Sequence, residues 1–268
     1  MAMDLDTGIL DVDGGRLVWE AAGSGRPVIL LHGFSLDRRS WEPQMTSLAA
    51  RHRVVRYDLR GFGASTLPLA PYRHIDDLRA LTRALKLREP VLVGLSLGAN
   101  IALAYSIEYA ADVCALVLAS PGLPGHPWRT QRPPEAAAAF AAEHGIEAGK
   151  RFWLEQPIFH SLRDHAQARR AVAQMVGDYS GWHWQHSDPQ QPGPDIRAGL
   201  RTLDLPTLVI SGDRDVEGYR QIAEEISLIL PQAALMRLEK AGHMVNLEQP
   251  SVFTERVLQF AQESYGQR

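Results

Sequence analysis

The chain has one cysteine, Cys114, among 268 residues. One thiol excludes an internal disulfide framework. It sits in the apolar run Val113-Cys114-Ala115-Leu116-Val117-Leu118 and is expected as a buried strand thiol, not a nucleophile. Long hydrophobic runs are missing as well, and no stretch is long enough to cross a bilayer. The start, Met1-Ala2-Met3-Asp4-Leu5-Asp6, is acidic and lacks the apolar segment of a secretion signal. Neither sign of charge dominates: 28 Lys and Arg against 31 Asp and Glu leave a formal net charge of -3. The charges are mixed along the chain, which argues against the clustered basic surface of a nucleic-acid binder. These absences lead to the expectation of a soluble, cytoplasmic protein with no nucleic-acid or membrane partner. Whether copies associate into a homo-oligomer is left open.

The chain is well supplied with core-forming residues. Hydrophobic residues make up 45% of it, ample for a buried core, and the length suits one α/β domain carrying an insertion. Gly8 to Val12 and Arg16 to Ala21 flank Asp13-Gly14-Gly15, a hairpin signature. Short apolar strands are expected at Pro27 to Leu31, Val54 to Asp58, Pro90 to Val93 and Val113 to Ala119. Helices are expected around Trp41 to Ala50, His74 to Leu87 and Leu97 to Tyr109, the second with Ile75, Leu78, Leu81 and Leu85 at helical spacing. The strands show little polar alternation, which predicts a parallel sheet covered by helices on both faces.

From Ser120 to about Asp195 the pattern changes. Prolines, aromatics and histidines accumulate, with helical pieces at Glu135 to Glu143 and Asp164 to Met175 and no strands. The sheet pattern then resumes with a strand at Pro206 to Ser211, a helix at Tyr219 to Leu230 and a strand at Ala233 to Leu238. A last helix opens at Pro250, with Phe253, Val257, Phe260 and Ala261 on one face. The expected organisation is one core, 1–120 with 196–268, interrupted by a helical insertion, 121–195.

The sharpest motif is Gly94-Leu95-Ser96-Leu97-Gly98, a G-x-S-x-G pentapeptide between an expected strand and an expected helix. An abrupt strand-to-helix reversal forces the serine into a strained backbone conformation, and side chains at the two glycines would collide with neighbouring elements. The hydroxyl then stands at a helix N-terminus, whose dipole favours negative charge. No Gly-Lys-Ser/Thr follows, so a phosphate-binding loop is set aside.

A serine hydroxyl needs a base. Ten histidines are present, of which only His243, in Ala241-Gly242-His243-Met244, follows a late sheet strand as the order Ser, Asp, His requires. His32 directly follows a strand and is read as structural. His52 and His74 lie at helix edges, and His126, His144, His160, His165, His183 and His186 fall in the insertion. Two acids, Asp213 and Asp215, sit at the carboxyl end of the strand before Gly212. Asp215, further along the loop, is favoured, while Asp213 is also suited to cap the turn or pair with Arg214. In Trp182-His183-Trp184-Gln185-His186 the two histidines share i, i+3 spacing, but no further ligands lie near, so a metal is not expected.

Together His32-Gly33-Phe34, Asp58 to Ser65, Gly94 to Gly98, Gly212 to Asp215 and Ala241 to Pro250 resemble α/β-hydrolases of the esterase, lactonase and cofactor-free haloperoxidase type. The motifs span nearly the whole core in the right order and leave the insertion uncovered. The core is most similar to 3-oxoadipate enol-lactonases. The resemblance implies the α/β-hydrolase fold, the acid at Asp215, and an oxyanion hole from the backbone N–H groups of Phe34 and Leu97. It also implies a structural turn at Asp58 to Ser65, with no chemistry for Asp58 or Arg60, and a lid formed by the insertion. Aromatic residues there suggest an apolar pocket, with Trp128, Trp153, Trp182 and Trp184 as candidate lining residues. No cofactor is implied.

The activity expected is hydrolysis of a small-molecule substrate with an ester or lactone carbonyl. Relatives that open epoxides or remove halide carry aspartate at the elbow, and the carbon–carbon hydrolases usually have a more glycine-rich segment after the first His-Gly. Four other uses of such a site stay open on sequence: carbon–carbon bond hydrolysis, perhydrolysis, a specialised biosynthetic reaction, and ligand binding by a receptor on this scaffold.

Overall fold

The computed structural model describes residues 4–129 and 131–266. Residues 1–3, which carried part of the expectation that no secretion signal is present, lie outside the described residues. One sheet of eight strands organises the rest. β1 (Asp6–Val12) and β2 (Gly15–Ala22) form the expected hairpin, with Gly14 at φ +68° in its turn. β3 (Pro27–Leu31), β4 (Arg53–Tyr57), β5 (Val91–Leu95), β6 (Ala115–Ala119), β7 (Thr207–Gly212) and β8 (Ala233–Leu238) follow. The order across the sheet is β1-β2-β4-β3-β5-β6-β7-β8. β1–β2 and β2–β4 pair antiparallel, and the pairings from β4 to β8 are parallel.

β3, β5, β6 and β7 are buried at every residue. A parallel strand with helices on both faces has no wet side, which is why these segments lack polar alternation. Each buried Val, Leu or Ile there contributes roughly 1.5–3 kcal/mol of transfer free energy. Cys114 is buried immediately before β6, not within it, and its N–H donates to the Pro90 carbonyl at 3.0 Å.

The helices fall where strand-to-strand crossovers demand them. α1 (Glu42–Ala49), α2 (His74–Ala84) and α3 (Leu97–Glu108) alternate with the first strands. α4 (Pro133–His144), α5 (Ile146–Leu154), α6 (Ala166–Asp178), α7 (Trp182–Gln185) and α8 (Ile196–Thr202) lie between β6 and β7, with a 3-10 helix, Pro157–Asp164, between α5 and α6. α9 (Glu217–Ile229) joins β7 to β8, and α10 (Val245–Glu248) and α11 (Pro250–Gly266) end the described chain. The expected core faces are buried: Ile75, Leu78 and Leu81 on α2, and Phe253, Val257, Phe260 and Ala261 on α11. Leu85 falls just past α2 and is half-buried.

Two groups of polar side chains fix the loops at the carboxyl ends of the strands. The Asp58 side chain is fully buried and accepts the backbone N–H groups of Arg38 and Ala64, each at 2.8 Å, while Arg38 Nη1 lies 2.5 Å from it. Arg60 donates to both oxygens of Asp77 at 2.9 and 2.7 Å. Both residues are therefore committed to holding the chain.

The second group ties the helical segment after β6 to the core. His183 stacks on Phe62, with ring centroids 4.5 Å apart and planes 13° from parallel. The Tyr179 hydroxyl accepts the His183 backbone N–H at 3.2 Å, leaving its own proton for His183 Nδ1 at 2.9 Å, which suits a neutral ring. Burial lowers the His183 pKa to about 4 and that of the neighbouring buried His74 to about 3. The Tyr72 hydroxyl bridges towards Asp188 at 3.3 Å. His186 stacks on Trp182 at 5.0 Å and places Nδ1 on the Trp182 carbonyl, so His183 and His186 engage separate partners.

Two outcomes follow. Asp58→Ala leaves the Arg38 and Ala64 donors without their acceptor and should lower stability by about 3 kcal/mol, a fall in Tm of roughly 6–12 °C for a chain this size; thermal unfolding followed by circular dichroism measures it. Histidine burial lowers the folded-state pKa, so the unfolded chain takes up protons first. That stability is present above pH 6.5 and is lost as the pH falls towards 4. His183→Gln should flatten the loss between those limits by up to one proton, about 1.4 kcal/mol per pH unit, read from urea unfolding across that range.

Candidate active site

Ser96 occupies the turn between β5 and α3 with φ +52° and ψ −109°, a conformation that costs a non-glycine residue of order 1–3 kcal/mol. Its surroundings hold it there. The Ser96 N–H donates to Ala119 O at 2.8 Å, and Asn100 N–H donates to Ser96 O at 3.1 Å. A Cβ at Gly94 would collide with the Gly98 carbonyl, and one at Gly98 would collide with the Leu31 carbonyl. The two glycines are thus required by close packing of backbone on backbone. Ser96 is half-buried, so its hydroxyl is accessible.

His243 lies on the loop between β8 and α10 and is buried. Its Nδ1 is 2.9 and 3.1 Å from the two oxygens of Asp215, whose side chain is also fully buried. It is Asp215, and not the exposed Asp213, that meets the ring. His243 Nε2 is buried and makes no hydrogen bond among the described residues. The Tyr219 ring covers the imidazole, 4.3 Å centroid to centroid. Burial, with the Asp215 charge adding to it, pushes the Tyr219 hydroxyl up to about 12.

The loop after β3 is braced from two sides. His32 is fully buried; its Nδ1–H donates to Gly33 O at 2.8 Å and its Nε2 accepts the Leu59 N–H at 3.0 Å. Burial lowers its pKa, consistent with a neutral ring in that tautomer. From α5, Trp153 Nε1 donates to Ser35 Oγ at 2.7 Å, while Ser35 takes φ +60°. The loop passes close to the elbow: a Cβ on Gly33 would sit 3.6 Å from Ser96 Cβ.

Phe34, Ser96 and Leu97 line one cavity of about 390 Å³. Apolar groups on Leu123, Trp128, Pro134 and Tyr219 form much of its wall, and Asn100, His126 and Arg132 supply its polar edge. Trp128 lies edge-on to Tyr219 at 5.0 Å. Trp153, Trp182 and Trp184, also expected in the pocket, do not line this cavity, and that expectation is corrected. Trp153 sits behind Phe34 at 6.1 Å, Trp184 packs on Trp153 and Tyr179, and Trp182 stacks on His186. Large flat indoles next to a loop serve packing there.

Among the lining residues that sequence reasoning did not assign are Asn100, His126, Arg132 and Tyr219. Asn100 follows Ser96 by one helical turn, so the i+4 spacing could have indicated it. Tyr219 stands in the first turn of α9, while Asp215 lies in the loop before that helix, so no helical spacing links the two. His126 and Arg132 come from irregular chain that carries no periodic signal.

Comparisons with known proteins agree with this architecture. The model of the Alpha/beta hydrolase family matches residues 28–256. A putative 2-succinyl-6-hydroxy-2,4-cyclohexadiene-1-carboxylate synthase of Bacillus subtilis (strain 168) is 28% identical over 257 residues, covering 90% of this chain and 92% of its own. A putative non-heme chloroperoxidase of Synechocystis is 30% identical over 217 residues, covering 74% of this chain and 77% of its own. Among solved structures, a thermophilic esterase from Thermogutta terrifontis superposes with a TM-score of 0.79 at 27% identity, covering 97% of this chain and 99% of its own. No helix among the described residues is long and apolar enough to cross a membrane. The eight-stranded sheet, the strand-to-helix elbow at Ser96 and the family match lead to one conclusion: the chain belongs to the alpha/beta hydrolase family.

Proposed function

We propose that the protein is a serine hydrolase that cleaves a small carboxylic ester or lactone through an acyl-enzyme, with Ser96, His243 and Asp215 as its triad. One observation carries this reading. Asp215 holds His243 through Nδ1 and leaves Nε2 without a partner, while Ser96 stands at the elbow of a cavity whose Tyr219 wall covers the same imidazole.

In the forward reaction Ser96 Oγ attacks the substrate carbonyl carbon as its proton passes to His243 Nε2. The carbonyl π bond opens, and the negative charge moves to oxygen. Two backbone donors, Phe34 N–H and Leu97 N–H, are assigned to that oxyanion. Fixed dipoles aimed at charge that develops only in the transition state lower the barrier without reorganising. Collapse of the tetrahedral species breaks the ester C–O bond, and His243 returns the proton to the leaving alkoxide. Water, deprotonated by His243, then attacks the acyl carbon and restores free Ser96 with release of the acid. Asp215 keeps the imidazole in the Nδ1–H tautomer and stabilises the imidazolium formed in both halves.

The cavity volume of about 390 Å³ suits a small acyl or lactone substrate. In this reading residues 121–195 act as a helical lid on a core made of 1–120 and 196–268. The relatives include an esterase, a putative chloroperoxidase and a putative synthase, so family membership alone does not select the reaction.

Steady-state hydrolysis of short 4-nitrophenyl esters and of lactones, with product analysis, tests the reading. Ser96→Ala should lower kcat by about 10⁴-fold or more while the Tm stays within a few degrees of wild type, and Asp215→Asn should lose about 10⁴-fold. Turnover near wild type in Ser96→Ala would sink it.

A further inference from the structure

Glu248 is a buried carboxylate, its side chain without solvent exposure, and it is the last residue of α10. Its two oxygens face the backbone N–H groups of the two residues next to His243 in the chain. Oε2 accepts the Gly242 N–H at 2.7 Å, and Oε1 accepts the Met244 N–H at 3.0 Å. Charge-assisted bonds of this kind are about twice as strong as neutral ones.

The anchor behind this carboxylate is itself tied down. Asn246 Nδ2 donates to Ser40 O at 2.8 Å, and Gln44 Nε2 donates to Asn246 O at 2.9 Å, so α10 is fastened to the helical turn before α1 and to α1. The helical segment after β6 closes the other side. Ser161 presses on Gly242 so closely that no Cβ fits there, His165 Nε2 lies 2.9 Å from Lys240 O and 3.7 Å from Glu248, and Asp164 pairs with Arg214 at 2.7 Å. Arg214 N–H donates to Ala241 O at 2.9 Å, which joins the Asp215 loop to the His243 loop.

We propose that Glu248 is a positioning residue for His243, acting through the backbone; the inference rests on the hydrolase reading above. Asp215 sets the rotation of the imidazole through Nδ1. It does not set where the Cα–Cβ bond of His243 points. That direction follows from the backbone path through residues 242–244, which one carboxylate holds at the Ala241–Gly242 peptide and at the His243–Met244 peptide. With Gly242 unable to carry a side chain and Met244 held by the same group, the loop has one seat, and Nε2 has one position relative to the elbow. A displacement of about 1 Å in such a group can cost about 10²-fold in rate.

The experiment compares wild type with Glu248→Gln and Glu248→Asp. Glutamine keeps the volume but sets an NH₂ against one of the two amides, donor against donor; aspartate keeps the charge and is too short to span both. For each protein kcat and KM for a 4-nitrophenyl ester are measured from pH 5 to 10, and competent sites are counted with a fluorophosphonate. The expected result is a fall of about 10–100-fold in kcat per titrated site, KM within about threefold, and a parallel fall in the rate of fluorophosphonate labelling. A purely structural role would lower the Tm and the number of competent sites while leaving kcat per site and its pH profile unchanged; kcat per site within about twofold of wild type in both variants overturns the proposal. If neither variant folds, Asn246→Ala, which releases α10 from Ser40, must lower kcat per site, and no change there overturns it equally. Wild-type protein that takes up no fluorophosphonate would instead mark failure of the hydrolase reading itself.

Discussion

The geometry at Ser96 is the constraint around which the other loops are arranged. A serine at φ +52° persists only where its neighbours leave no alternative. Here β6 takes the Ser96 N–H, Leu31 and Gly98 fill the space a side chain would need, and α3 begins at the next residue. The strain is set against the all-buried packing of β3, β5 and β6, the most apolar part of the sheet. The elbow therefore stands on its most rigid elements, and side chains at the carboxyl ends of the parallel strands can converge on it.

Convergence depends on loops, which are ordinarily the least rigid part of such a fold. In this chain each of three loops is held by buried polar groups. His32 and Trp153 hold the loop of Phe34, Asp58 holds the turn at Arg38 and Ala64, and Glu248 holds the loop of His243. Each of these groups is satisfied by directed partners, which is the condition under which a buried polar group orders a structure without a large penalty. The helical segment between β6 and β7 takes part through Trp153, His165 and Asp164, so it helps to hold these loops in place.

Much of this was legible in the sequence because it follows local rules. Strands without polar alternation gave the parallel sheet, and the glycines of Gly94-Leu95-Ser96-Leu97-Gly98 marked the one reversal too tight for side chains. Spacing along the chain narrowed the acid to Asp213 and Asp215. What spacing could not supply was contact across the fold. Trp153, Trp182 and Trp184 look like pocket residues in a list of aromatics, yet their faces are used by Phe34, His186 and Tyr179. Glu248 is, in the sequence, one more residue of the motif Ala241 to Pro250, until both its oxygens are found on the N–H groups of Gly242 and Met244. Long-range partners at separations such as Trp153 with Ser35 leave no periodic trace.

Family membership fixes the scaffold and leaves the chemistry to the site, as relatives that include an esterase, a putative chloroperoxidase and a putative synthase illustrate. The central claim is that Ser96 is an activated nucleophile, and intact-protein mass spectrometry after exposure to a small fluorophosphonate tests it most directly. The account predicts a single covalent adduct on wild type that is absent from Ser96→Ala. No adduct on folded wild type, or an adduct that survives the substitution, would contradict it.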